Sequence, residues 1–258
     1  MSSRSPELPA AFLDRPLAHR GLHDRGRGLI ENSRASVAAA VAAGYGVEID
    51  VQQARCGTPM VFHDSRLGRL TAARGDIAEH DAATLATIEL AGGGETIPTL
   101  AEILDLVAGR APLLIEIKDA DVALPPTDGR REAAVAAAME GYRGPVAVMS
   151  FNPAAVAAFG RAAPAVPRGL ATCDFQGASW PLPDYRRAEL AAITDFDASG
   201  ARFVSHDRRD LDRPQVADLR AAGVPVLTWT VRSPAEEAAA RRRADNITFE
   251  GYRPGRVA

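Results

Sequence analysis

Four short strings bring ionisable groups together: His19-Arg20-Gly21, Glu48-Ile49-Asp50, His63-Asp64 and Glu116-Ile117-Lys118. Along an extended chain residues i and i+2 share a face, so Glu48 and Asp50 point together, as do Glu116 and Lys118. Both pairs interrupt apolar runs, and a buried carboxylate is costly unless it is paired or holds a metal. Three carboxylates converging on one interior therefore make Glu48, Asp50 and Glu116 a candidate metal site, oxygen-rich and suited to a hard cation more than to zinc or manganese held by histidines. The bland alternative is that they only satisfy Arg20 and Lys118 as ion pairs. His19 and His63 each sit at a strand end beside a charged neighbour and could complete an acid–base pair. His23, His80 and His206 read as structural or solvated, although His206 also ends a strand.

Such groups converge only if their strand ends share a rim. Short β-rich runs alternate with alanine-rich segments of helical length, the order expected of a parallel sheet wrapped by helices. The runs at 17–19, 47–51, 113–118, 146–150, 168–171, 202–205, 224–231 and 246–249 number eight, which closes a (β/α)8 TIM barrel with its active site at the strand C-termini. Helices are expected over 33–43, 99–108, 131–140, 153–162, 213–222 and 234–243. Ser33 and Thr99 suit N-caps, Pro153 and Pro234 the first turn, and Gly44, Gly109, Gly141 and Gly223 the C-termini.

A ninth apolar run, Met60-Val61-Phe62, is separated from the second strand only by 54–59. A parallel crossover needs a dozen or more residues, so this run is expected to be a hairpin return that carries His63 back to the rim. Residues 64–98 lack a clear strand and hold one short helical stretch near 81–88. They read as an insertion over the mouth, with Gly92-Gly93-Gly94 as a mobile edge and no clear aromatic rim.

The 258 residues, 47% hydrophobic, suffice for one substantial core, and a single domain over 1–258 is expected. Thirty basic and 33 acidic residues, spread along the chain for a net charge of -3, give no footprint of a nucleic-acid surface. Cys56 and Cys173 lack metal or redox spacing and read as free thiols. Residues 1–15 do not resemble a signal peptide and no run reaches membrane-span length, so a soluble cytoplasmic protein is expected, with a homo-oligomer left open.

Taken in order, Ala18-His19-Arg20-Gly21, Glu31-Asn32-Ser33, Val47-Glu48-Ile49-Asp50-Val51-Gln52, Val61-Phe62-His63-Asp64, Ile97-Pro98-Thr99-Leu100, Leu114-Ile115-Glu116-Ile117-Lys118 and Thr228-Trp229-Thr230-Val231 resemble the glycerophosphodiester phosphodiesterase family over roughly residues 16–254. The resemblance implies metal-dependent cleavage of glycerophosphodiesters to glycerol 3-phosphate and an alcohol, with one Mg2+ or Ca2+ on Glu48, Asp50 and Glu116. It further implies His19 as base, His63 as acid, Arg20 and Lys118 on the phosphate, and Trp229 against the substrate. The usual Pro-Glu-Asn-Thr reads Ile30-Glu31-Asn32-Ser33 here. Arg232 replaces an Asn, and the closing Gly-Ile-Ile-Thr-Asp reads Asn246-Ile247-Thr248-Phe249-Glu250. Rival readings are a lysophospholipase D or sphingomyelinase D type enzyme, which needs a lipid-facing patch at the mouth, and a non-catalytic phosphodiester-binding barrel, which predicts a lost histidine or carboxylate.

Overall fold

In the computed structural model, which describes residues 6–119, 123–178 and 180–255, the β-rich runs pair as a closed sheet. The strands are β1 (Leu17–Ala18), β2 (Gly46–Gln53), β3 (Pro59–Val61), β4 (Leu113–Ile117), β5 (Val146–Ser150), β6 (Arg168–Thr172), β7 (Phe203–Asp207), β8 (Val226–Val231) and β9 (Asn246–Phe249). All but β3 are parallel, and β1 pairs with both β2 and β9, so eight strands close a barrel with helices outside. The ends 1–5 and 256–258 of the expected single domain lie outside the described residues.

Strand alternation sorts side chains into two layers. Val47, Ile49, Val51, Leu113, Ile115 and Ile117 face outward into the core shared with the helices. Leu114, Ala147, Met149, Ala171, Phe203 and Leu227 belong to a second cluster inside the barrel, closed by Leu8 and Phe12 from the N-terminal segment. Asn246, buried on β9, holds that segment by donating to the carbonyls of Phe12 at 2.7 Å and Arg15 at 2.6 Å. The interior is thus filled mainly by apolar side chains from below, as barrels of this size require, and the ionisable groups gather at its C-terminal rim.

The short connection after β2 does what its length demands. β3 runs antiparallel on the end of β2, with Val51 opposite Val61, and the Phe62 amide donates to the Asp50 carbonyl at 3.0 Å. His63 therefore returns to the rim, where its carbonyl accepts from Gln52 Nε2 at 3.0 Å. Residues 64–98 hold the 3-10 turns Leu67–Arg69 and Ile77–Glu79 and the helix Ala82–Leu85. Their buried Leu67, Leu70, Ile77, Leu85 and Leu90 pack on Met60 and Phe62 as a separate cluster.

Several boundaries differ from expectation. β1 stops at Ala18, because Arg20 and Gly21 take positive φ values of 55° and 79° and turn the chain outward. A Cβ on Gly21 would lie 2.5 Å from Ser36 Oγ and 2.7 Å from the Ser36 carbonyl carbon, so only glycine fits. The helices Asp184–Ala191 and Phe196–Ser199 were not expected; the first, Asp-Tyr-Arg-Arg-Ala-Glu-Leu-Ala, buries only Leu190 and Ala191, too little apolar periodicity to read. Elsewhere the caps behave as read: Ser33 accepts from the Ser36 amide at 3.1 Å, and Thr99 forms a capping box with Glu102. Cys56 is exposed and Cys173 buried, both free, with burial pushing the Cys173 thiol up to about 12.

Candidate active site

The parallel register sets the carboxylates side by side. Glu48 lies opposite Leu114 and Asp50 opposite Glu116, and these alternate positions all face the barrel interior just below the rim. One oxygen from each of Glu48, Asp50 and Glu116 falls within 4.8 Å of the others, and all three residues are buried.

The two nearby cations partly neutralise this cluster. Lys118 Nζ donates to Glu116 Oε1 at 2.7 Å and lies 3.5 Å from Asp50 Oδ1. Arg20 Nε stands 3.2 Å from Asp50 Oδ2, an ion-pair distance without hydrogen-bond geometry, while its Nη1 donates to Glu31 at 2.7 Å. Asn32, turned inward at φ 59°, donates from Nδ2 to Asp50 Oδ2 at 2.9 Å and accepts from the Asp50 amide at 3.2 Å. Among the described residues Glu48 receives only the Arg20 amide, at 3.0 Å.

The charges follow from these contacts. Burial pushes the Glu48 carboxyl well above the usual range, with Asp50 and Glu116 adding to it and Arg20 only partly offsetting. Burial also opposes ionisation of Asp50, but Lys118 and Arg20 outweigh it and hold that carboxyl low. For Arg20 and Lys118 burial is likewise overcome by their acidic neighbours, and both stay firmly cationic. Three carboxylates thus face two cations, one of them shared with Glu31, so ion pairing leaves Glu48 only partly offset, by Arg20. An oxygen-only donor set with an unmet negative charge fits a hard divalent cation.

His19 and His63 both line the cavity, in matched settings. His19 Nδ1 lies 2.5 Å from Glu250 Oε2, and His63 Nδ1 lies 2.5 Å from Asp64 Oδ1. A carboxylate on Nδ1 fixes that proton there and leaves Nε2 for the cavity. Each carboxylate is in turn tied to an arginine, Glu250 to Arg232 at 2.7 Å and Asp64 to Arg69 at 2.5 Å. Burial lowers the His19 imidazolium, against the raising effect of its bond to Glu250.

These groups line one cavity of about 400 Å³, within the range of small-molecule sites. One wall carries His19, Arg20, Glu48, His63, Glu116 and Lys118, and the other carries Leu124, Met149, Phe151, Trp180 and Trp229. Phe151 meets the Trp180 ring at 5.1 Å and the Trp229 ring edge-on at 5.5 Å. The cavity's rings come from the ends of β5 and β8 and the loop after β6, and none comes from 64–98, which was read as bearing no aromatic rim. Of the candidate residues, His19, Arg20, Glu48, His63, Glu116, Lys118 and Trp229 line the cavity, and Asp50 joins Glu48 and Glu116 in the carboxylate cluster. Glu250, Glu31, Arg69, Phe151 and Trp180 were not assigned a role from the sequence; Glu31 stood within the motif Glu31-Asn32-Ser33 and Glu250 closed the motif after β9, whereas Arg69, Phe151 and Trp180 carried no signal. His206 is fully buried, shares a 2.8 Å hydrogen bond with Thr172 Oγ1 and stays apart from the cavity, whereas His23 lies 3.6 Å from Glu250.

A model of the glycerophosphoryl diester phosphodiesterase family matches residues 19–248. Among solved structures, a Silicibacter pomeroyi protein assigned to glycerophosphoryl diester phosphodiesterase is 26% identical, with a TM-score of 0.78 over 95% of this chain and 94% of that one. An Oleispira antarctica phosphodiesterase, solved with the product sn-glycerol-3-phosphate, is 24% identical, with a TM-score of 0.76 over 93% of this chain and 94% of that one. The glycerophosphodiester phosphodiesterase of Thermotoga maritima is 20% identical, with a TM-score of 0.67 over 90% and 92% of the two chains. No curated protein matches the sequence.

Proposed function

The chain belongs to the glycerophosphoryl diester phosphodiesterase family, and we propose that it hydrolyses glycerophosphodiesters to glycerol 3-phosphate and an alcohol with a divalent cation and two histidines. The observation that carries this reading is the pair of carboxylate-backed imidazoles, His19 with Glu250 and His63 with Asp64, on the cavity that also holds Glu48, Glu116, Arg20 and Lys118.

Glu48, Asp50 and Glu116 hold the cation, Mg2+ or Ca2+, whose charge, when it is bound, offsets the negative charge growing on the phosphoryl oxygens. The Arg20 fork and the Lys118 ammonium hold the phosphate from the same wall. His19 Nε2 takes the proton of the nucleophile, water or the substrate's own glycerol 2-hydroxyl. The new oxygen–phosphorus bond forms as the bond to the alcohol breaks, and His63 Nε2 gives the departing alkoxide its proton. In the second case water opens the resulting cyclic phosphate in a further step with the two roles exchanged. Trp229, with Phe151 and Trp180, presents apolar surface to the substrate carbons.

No helix among the described residues is long and apolar enough to cross a membrane. The aromatic wall lies inside the cavity, and the only exposed large hydrophobic among the described residues is Tyr185, so no surface patch favours a lipid substrate. The test is purified protein against glycerophosphocholine, glycerophosphoethanolamine, glycerophosphoinositol and lysophosphatidylcholine, with Mg2+ or Ca2+ restored after chelation. Release of glycerol 3-phosphate only with metal is expected; cleavage of lysophosphatidylcholine alone, or of nothing, overturns the reading.

A further inference from the structure

Arg69 stands outside the cavity wall, in the turn Leu67–Arg69, yet it reaches both sides of the site. Its Nη1 and Nη2 donate to the two oxygens of Glu31 at 2.9 and 2.7 Å, and its Nε and Nη2 donate to those of Asp64 at 2.5 and 3.0 Å. Glu31 also accepts from Arg20, and Asp64 backs His63. We propose that Arg69 is a positioning residue of the reaction, which fixes the His63 imidazole through Asp64 and the Arg20 guanidinium through Glu31. This rests on the roles proposed above for His63 and Arg20.

The argument is one of geometry and charge. An exposed single ion pair is worth little. Here, however, one planar fork meets two carboxylates bidentately, both largely shielded, with 14% and 22% of their side chains exposed. Arg69 Nη2 bonds to both acids, so without it two like charges would confront each other and separate. Their separation would draw His63 and Arg20 apart, because each is fastened to one of the two. Burial favours a neutral Glu31, but Arg69 and Arg20 outweigh it and hold its carboxyl at about 2. A lysine, a point charge without the fork, cannot span both acids.

The test compares Arg69→Gln and Arg69→Lys with the parent on glycerophosphocholine and on a p-nitrophenyl glycerophosphodiester. Arg69→Gln should lose about 10- to 100-fold in kcat on the choline ester and less on the p-nitrophenyl ester, with KM raised on both, as displacement of reacting groups predicts. Arg69→Lys should recover part of the loss. A structural role alone would give equal losses on both substrates in step with a lowered melting temperature, and that result, or parental kinetics, overturns the proposal. The Nδ1 proton signal of His63 needs no turnover. It should shift in Arg69→Gln even if the parent proves inactive on glycerophosphodiesters, and an unchanged signal counts against Arg69 whatever the substrate.

Discussion

Glu250 Oε2 lies 2.5 Å from His19 Nδ1 although 231 residues separate them, so the last barrel strand orients a side chain carried on the first. The carboxylate holds the imidazole proton on Nδ1 and leaves Nε2 able to accept one. Glu250→Gln should therefore lower kcat on the order of 10²-fold with little change in metal affinity. Steady-state kinetics beside calorimetry would show this, and unaltered kcat would remove Glu250 from the mechanism.

The pH dependence follows from the same pair. A base works when unprotonated, and burial lowers the His19 pKa from 6.5. Activity should thus persist below pH 6.5 and fall as pH drops through the lowered value. Glu250 raises that value, so its removal should move the acid limb further down. Profiles of kcat/KM for parent and Glu250→Gln check this; a limb moving upward contradicts it.

The carboxylates separate the metal reading from the ion-pair reading. Glu48→Gln, Asp50→Asn and Glu116→Gln should each abolish measurable binding of Mg2+ and Ca2+ and all activity, while the protein stays folded. Calorimetric titration decides, since undiminished affinity in all three would sink the site.

The two histidines should part by leaving group. A poor leaving alkoxide cannot depart without a proton, whereas a general base matters for good and poor leaving groups alike. His63→Ala should lose on the order of 10²–10⁴-fold on glycerophosphocholine and far less on a p-nitrophenyl diester, and His19→Ala should be impaired on both. Only the ratio of variant to parent on each substrate is read. The opposite pattern exchanges the roles.

Gly21 offers a test of the scaffold. A methyl group there meets Ser36 at 2.5–2.9 Å and must adopt φ of 79°, so Gly21→Ala should cost about 1–3 kcal/mol. Thermal unfolding measures it, and a melting temperature equal to the parent's would show that the turn adapts.

Much of this was legible from local pattern. Strand and helix periods, the caps at Ser33 and Thr99 and the length of 54–59 determine an eight-stranded parallel barrel with one hairpin return, because each depends on neighbours a few residues apart. Alternation likewise determines that Glu48 and Asp50 share a face, as do Glu116 and Lys118, and the short 54–59 connection returns His63 to the rim. The β2–β4 register set the two pairs side by side, while the ionisable set itself emerged from spacing and motif. The supports of those groups did not. Glu250 and Glu31 stand in recognisable motifs, but the pairing of Glu250 with His19 and of Arg69 with Glu31 and Asp64 carries no period, since a salt bridge between distant segments does not mark which residues meet. The apolar wall of Phe151, Trp180 and Trp229 is drawn from three segments whose adjacency exists only once the barrel closes. The sequence by itself determined which ionisable residues stand as candidates for the chemistry proposed above. Tertiary structure decided how each is held, because orientation and charge depend on the nearest atoms in space, and those come from parts of the chain that meet only in the fold.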